Sequence, residues 1–105
     1  MTQKQTFQSF DALLTQSHGP LLVDFYATWC GPCRMMANTL QEVKSRLGSQ
    51  LNIVKIDTDK YPELASRFGV HALPTLILFK HGKPGDRLEG ALTADALIQR
   101  LQPHL

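Results

Sequence analysis

The chain has 105 residues, of which 43% are hydrophobic, with 11 basic and 9 acidic side chains and a formal charge of +2. That length points to one domain with room for one real core. Charges of both signs are interspersed with no run of five, which argues against a nucleic-acid or membrane-surface role. No apolar run approaches the ~18 residues of a membrane span, and the start, MTQKQTFQSF, carries no apolar signal segment. A cytoplasmic protein is expected, or one of an organelle matrix or stroma if the chain is a processed form.

In chain order, SFDALLTQS places Phe10, Leu13 and Leu14 at helical spacing, with Ser9 as the expected N-cap. PLLVDFYA is a dense apolar run and predicts a buried strand. Residues 32–47 put Met36, Leu40, Val43 and Leu47 on one helical face, with Pro32 suited to the first turn and Gly48 to the end. LNIVKID predicts a second strand. DKYPELASRFGV predicts a helix opened by Pro62 and closed before Gly69. PTLILFK and GDRLEG predict two further strands joined through the turn HGKPG, which lacks a phosphate-loop pattern. TADALIQRLQ closes the chain as an amphipathic helix capped by Thr93. Alternation first, then a hairpin and a helix, predicts an α/β fold: a mixed sheet with helices on both faces.

Both cysteines lie in DFYATWCGPCR, two residues apart and directly after the apolar strand. Three uses are open to such a pair. As a staple it would close a ring of about four residues, worth only ~2 kcal/mol in the chain-entropy model, against ~5 kcal/mol for a hundred-residue loop. As half of a structural zinc site it lacks partners, because His18, His71, His81 and His104 offer no His-x₃₋₅-His spacing. As a redox pair it is well placed. Cys30 falls at the start of the helix and Cys33 one turn on, so the Cα atoms should lie ~5 Å apart, inside the range a disulfide spans. Unpaired N–H groups and the helix dipole there stabilise a thiolate by ~1–2 kcal/mol, about one pKa unit. A shift of about 1.5 units from 8.5 multiplies the thiolate fraction at pH 7 roughly 16-fold and returns about fivefold in lost nucleophilicity, so a modest shift suits a reductant. Thiol–disulfide exchange is the favoured use.

WCGPC after a strand bearing Asp24 resembles the thioredoxin family. The likeness extends through VKIDTDKYPELASRFGVHALPTLILFKHG and LEGALTADALIQRL, from about Phe7 to Leu101. It implies a single thioredoxin domain over residues 1–105, with a central mixed β-sheet flanked by helices on both faces. It also implies an exposed nucleophile at Cys30, a buried resolving thiol at Cys33 and, between them, the Gly31-Pro32 dipeptide of the reducing members. Asp24 alone reads first as an outward-facing or strand-edge aspartate. The resemblance makes it a buried proton acceptor for Cys33, with Lys55 as its partner on the neighbouring strand. Sequence alone makes Leu73–Pro74 trans, whereas the resemblance implies cis, in a loop that pairs with an extended substrate. Trp29, otherwise a core candidate, joins Gly31, Pro32, Ala72, Leu73, Pro74, Gly90 and Ala91 in the implied substrate surface. Tyr26, which replaces a tryptophan common in bacterial members, is read as core, as are Met35 and Met36. His71 is read as exposed beside the substrate loop.

The implied activity is protein-disulfide reduction, with no bound cofactor or metal. Electrons would come from a flavin- or ferredoxin-dependent thioredoxin reductase and pass to disulfide-containing targets such as peroxiredoxins or reductases of methionine sulfoxide. A monomer is expected, with no nucleic-acid or membrane partner. Two rivals are a non-catalytic binding module and a secretory oxidase or isomerase; the intact cysteine pair and the Gly-Pro dipeptide count against them. One departure stands out. Many members carry proline five residues after the second cysteine, where this chain has Asn38, which predicts an unbroken, straighter helix there.

Overall fold

The computed structural model of the protein describes residues 7–105; the first six residues of the N-terminal segment lie outside that range. The elements run α1 (Phe7–Gln16), β1 (Leu21–Tyr26), α2 (Gly31–Leu47), β2 (Asn52–Asp57), α3 (Pro62–Arg67), β3 (Thr75–Lys80), β4 (Lys83–Glu89) and α4 (Ala94–Leu101). Single 3₁₀ turns follow α2 and α4. The strands form one mixed sheet in the order β2-β1-β3-β4, with β1 parallel to β2 and antiparallel to β3, and β3 antiparallel to β4. No described helix is long and apolar enough to cross a membrane.

β1 is central, and every one of its residues is buried. Its side chains alternate between two cores, as a strand's geometry requires. Leu21, Val23 and Phe25 pack with Phe10 and Leu14 of α1 and Leu64 of α3. Leu22 points the other way, into the core built from Met36, Leu40, Val43 and Leu47 of α2 and Leu97 and Leu101 of α4. Asp24 and Tyr26 share that second face by the same alternation. The first face carries an aromatic cluster: Phe68 lies 5.7 Å from Phe10 and 5.3 Å from Phe79, ring centre to ring centre.

Three local expectations need correction. Ser9 lies inside α1 rather than capping it. The β3–β4 connection is shorter than HGKPG. The turn is His81-Gly82, both at positive φ (55° and 76°), and Lys83 already pairs with Lys80. Pro84 fits within a strand because β4 is an edge and the ladder shifts register between Ile77 and Phe79. Met35 is 65% exposed, whereas Met36 is fully buried; only the latter falls on the face α2 turns to the sheet. Thr93 caps α4 as its position predicts, its Oγ1 accepting from Ala96 N–H at 3.1 Å.

Candidate active site

α2 begins where β1 leaves the sheet, and this junction positions the cysteines. Cys30 is the N-cap of α2, with extended backbone (φ −88°, ψ 113°), and Pro32 falls in the first turn, where no N–H is needed. Cys30 and Cys33 form a disulfide with Cα atoms 5.2 Å apart, the spacing expected of one helical turn. Cys30 Sγ accepts the Cys33 N–H at 3.2 Å. One sulfur atom therefore takes the place of the usual N-cap oxygen, satisfying a donor the helix leaves free. The same donor and the helix dipole would favour a thiolate held at that position.

Cys30 lines a groove whose walls are Trp29, Gly31 and Pro32 on one side and Ala65, Val70, His71 and Leu73 on the other, with Thr58 between. Trp29 is 66% exposed, its indole fixed by a 2.8 Å hydrogen bond from Nε1 to Asp59 Oδ2. The Leu73–Pro74 peptide bond is cis. Backbone N–H groups of His71, Ala72 and Leu73 make no hydrogen bond among the described residues. The far end of this segment is anchored: Thr75 Oγ1 donates to Ala72 O at 2.5 Å and Gly90 N–H to Pro74 O at 2.9 Å. Free donors beside a disulfide, on a loop fixed at its end, can pair with an extended chain as an added strand would.

The expected contrast between an exposed Cys30 and a buried Cys33 is weaker than the resemblance implies. The two are 5% and 3% exposed. What separates them is direction: Cys30 borders the groove, and Cys33 borders a smaller cavity lined by Tyr26, Ala27, Thr28, Arg34, Ala37 and Lys55.

Asp24 lies beneath α2, fully buried, and neither carboxylate oxygen finds a hydrogen-bond partner among the described residues. Burial pushes its pKa up from 3.8 to about 7, against the opposing pull of the Lys55 charge. Desolvation dominates because the ion has lost water and gained no donor. Lys55 is Asp24's register partner on β2, yet the two form no ion pair. The ammonium instead sits 4.7 Å from the centre of the Tyr26 ring, a cation–π contact that shares the cavity with Cys33.

The structure thus brings Trp29, Cys30, Gly31, Pro32 and Leu73 together around one groove and sets Asp24, Lys55 and Cys33 on the α2 side of the sheet. Ala72, Gly90 and Ala91 do not line the groove, and Pro74 is buried, tied to Gly90 through its carbonyl. Sequence reasoning missed Thr58, Ala65 and Val70 as groove walls. The only available signal was position: Val70 comes just after the end of α3, and a chain leaving that helix toward Pro74 must pass the start of α2. Among the described residues no cluster of histidine, cysteine and carboxylate side chains could hold a metal.

The thioredoxin family model matches residues 1–103. The chain is 57% identical over 103 residues to "Thioredoxin Y, chloroplastic" of Oryza sativa subsp. japonica, covering 98% of this chain and 61% of that protein. It therefore spans about three fifths of the length of the plant relatives it matches. A thioredoxin-like protein of Synechocystis sp. is 54% identical over 102 residues, covering 97% of both chains. The "Bifunctional thioredoxin reductase/thioredoxin" of Mycobacterium leprae is 46% identical over 101 residues, which are 96% of this chain and 22% of that one. With the Cys30–Cys33 disulfide at the head of α2, a cis-proline loop facing it and these matches along nearly its whole length, the chain belongs to the thioredoxin family.

Proposed function

We propose that this protein is a protein-disulfide reductase and electron carrier working through the Cys30–Cys33 pair. The observation that carries the reading is the closed disulfide at the N-terminus of α2, with Cys30 on an open groove and Cys33 on a smaller cavity that Lys55 also lines. In the dithiol form the Cys30 thiolate attacks one sulfur of a target disulfide, forming a mixed disulfide and releasing the target's other sulfur as a thiolate. Cys33 gives its proton to Asp24 and attacks Cys30 Sγ. The second target thiolate leaves and the Cys30–Cys33 bond closes. Two electrons pass to the target, whose two thiolates take up protons from Asp24 and solvent. A carboxyl with pKa about 7 is matched to moving that proton at neutral pH. Lys55 tunes Asp24 through its charge, and Trp29, Pro32 and Leu73 provide apolar contact for the target, with Ala72, Gly90 and Ala91 extending that surface and Pro74 supporting Leu73 from within.

A thioredoxin reductase, flavin- or ferredoxin-dependent, returns two electrons to the disulfide; the fused reductase in the Mycobacterium leprae relative's name supports such a donor. Targets are disulfide-bearing proteins such as peroxiredoxins. The working compartment is a reducing one, a plastid stroma in keeping with the relatives named chloroplastic, or a bacterial cytoplasm. The protein acts as a monomer.

The test is trapping. Cys33→Ser should accumulate mixed disulfides with target proteins, and Cys30→Ser should accumulate none. Stable trapping by Cys30→Ser reverses the assignment of the two thiols. A Cys30/Cys33→Ser double variant that supplies full cellular activity shows a binding module instead.

A further inference from the structure

We propose that Arg87 is a positioning residue for target binding: its guanidinium clamps the end of α3 and so holds residues 70–73 as a ready-made wall of the groove. α3 spans six residues, Pro62–Arg67. A helix that short is marginal on its own, and its last carbonyls lack partners within the helix. Just past that end, Arg87 fixes the exit of the chain. Nη1 donates to Phe68 O and Nη2 to Gly69 O, each at 2.6 Å. Arg87 reaches them because it lies opposite Ile77 in the β3–β4 ladder, on the face of the sheet that α1 and α3 cover. Glu89 Oε2, 3.6 Å from Nε, faces the guanidinium from the same strand. The neighbouring Arg67 is engaged elsewhere, paired with Asp11 at 2.8 Å.

Beyond the clamp the chain forms the groove wall. Gly69 turns the chain at φ +61°. Val70 N–H bonds back to Ala65 O at 2.8 Å. Val70, His71 and Leu73 then line the groove opposite Cys30. Thr75 and Gly90 tether the far end of this segment through Ala72 O and Pro74 O; the two Arg87 bonds tether the near end. Between the tethers lie the backbone donors of His71, Ala72 and Leu73, unpaired among the described residues. A loop already ordered loses little freedom when a target strand pairs with it. The reacting sulfurs sit on α2, across the groove, and Arg87 touches neither of them. Its removal should therefore weaken capture of a target and spare the chemical step.

This inference rests on the reductase reading, and the test separates the two. Pre-reduced wild type, Arg87→Ala and Arg87→Lys are mixed in single turnover with an extended disulfide-bonded peptide, and separately with dithiobis(2-nitrobenzoate), a disulfide too small to engage the loop. In Arg87→Ala the half-saturating peptide concentration should rise about tenfold while the limiting rate, and the rate with the small disulfide, stay within about twofold. Arg87→Lys keeps the stem and the charge but has no planar fork for two carbonyls, and should rise about threefold; it also serves if the alanine variant folds poorly. Deuterium exchange at the amides of 71–73 should quicken in Arg87→Ala. A purely structural Arg87 would lower the melting temperature and leave half-saturation unmoved in the folded variants. That result, or a limiting rate that falls while half-saturation holds, overturns the inference alone. A wild-type chain that reduces neither disulfide overturns the reductase reading and this inference with it.

Discussion

A fully buried carboxylate that accepts no hydrogen bond among the described residues is a destabilising group, and Asp24 is one. Its folded-state pKa is raised from 3.8 to about 7, above its unfolded value. The native chain therefore holds a proton between about pH 4 and 7 that the unfolded chain releases. The stability linked to this group is fully present below about pH 4, falls as pH rises toward 7, and is lowest above that. At 1.36 kcal/mol per unit the swing is on the order of 4 kcal/mol. Asp24→Asn abolishes the slope. We expect a gain of roughly 2–3 kcal/mol at pH 8, below the full swing because the amide is also unpaired, and well under half of that at pH 5. Urea unfolding at the two pH values measures it; equal gains would mean the carboxylate is charged in the folded state throughout. The same variant should slow turnover near neutral pH, and unchanged turnover between about pH 6 and 8 would remove the proton-acceptor role. At this scale the sequence was legible only in part. A charged residue inside an apolar run marks position 24 as unusual, but its burial depends on β1 being the strand covered on both faces, which no local pattern states. Arg87 offers no signal at all: it reads as an ordinary alternating residue of an edge strand, and its meaning comes from carbonyls 18 and 19 positions away.

Elements were far more legible than contacts, because each is fixed by periodicity and end signals that lie close in sequence. α2 shows this. Its buried face, Cys33, Met36, Leu40, Val43 and Leu47, keeps a helical period, Pro32 opens it, and Gly48 closes it at φ +58°. Lys44 completes the end, Nζ donating to Gly48 O at 2.9 Å and Leu51 O at 2.6 Å. The errors fall where two principles compete. Ser9 is a good cap by residue type, yet the helix already runs from Phe7. Pro84 and Gly85 read as turn residues, yet a two-residue turn and a register shift leave them in β4. Asn38 lies exposed in the middle of α2, which is unbroken from Gly31 to Leu47. Proline there would remove the hydrogen bond to the preceding turn and clash with the Arg34 carbonyl. We expect Asn38→Pro to lose about 2–3 kcal/mol, after allowing for asparagine's own modest propensity, and to bend the helix. Activity should survive, because the first turn that carries Cys30 and Cys33 is built on bonds upstream, including Arg34 N–H to Cys30 O at 3.3 Å. Urea unfolding and peptide-disulfide reduction on the same sample decide. A loss below about 1 kcal/mol means proline fits this helix without penalty, and lost activity means that the bend reaches the thiols.

For the whole molecule, the proposed function raises the question of what would hold the fold together as its one disulfide opens and closes. Two cores on opposite faces of one sheet provide the answer. One is filled by Phe10, Phe25, Phe79 and Leu64 under α1 and α3, the other by Met36, Leu40, Leu97 and Leu101 under α2 and α4. The cysteines belong to neither. They pack with Tyr26 and Ala27 in a small cluster at the end of β1, so breaking their bond removes no core contact. The bond also closes a very short ring, joining residues three apart, and constrains the unfolded chain little. In the chain-entropy model that is worth about 2 kcal/mol. Reduction should therefore lower stability by about 2 kcal/mol and leave helix and strand content unchanged, read as a shift of the urea midpoint at constant slope between oxidised and dithiothreitol-treated samples. The Cys30/Cys33→Ser double variant should match the reduced protein within about 1 kcal/mol. A loss above about 4 kcal/mol, or a lower slope on reduction, would make the pair a staple, because an electron carrier has to stay folded in both states. The sheet meets that requirement by placing the Cys30–Cys33 bond at a strand end and helix start, beside the groove and its backbone donors, where neither sulfur is needed to fill the two large cores.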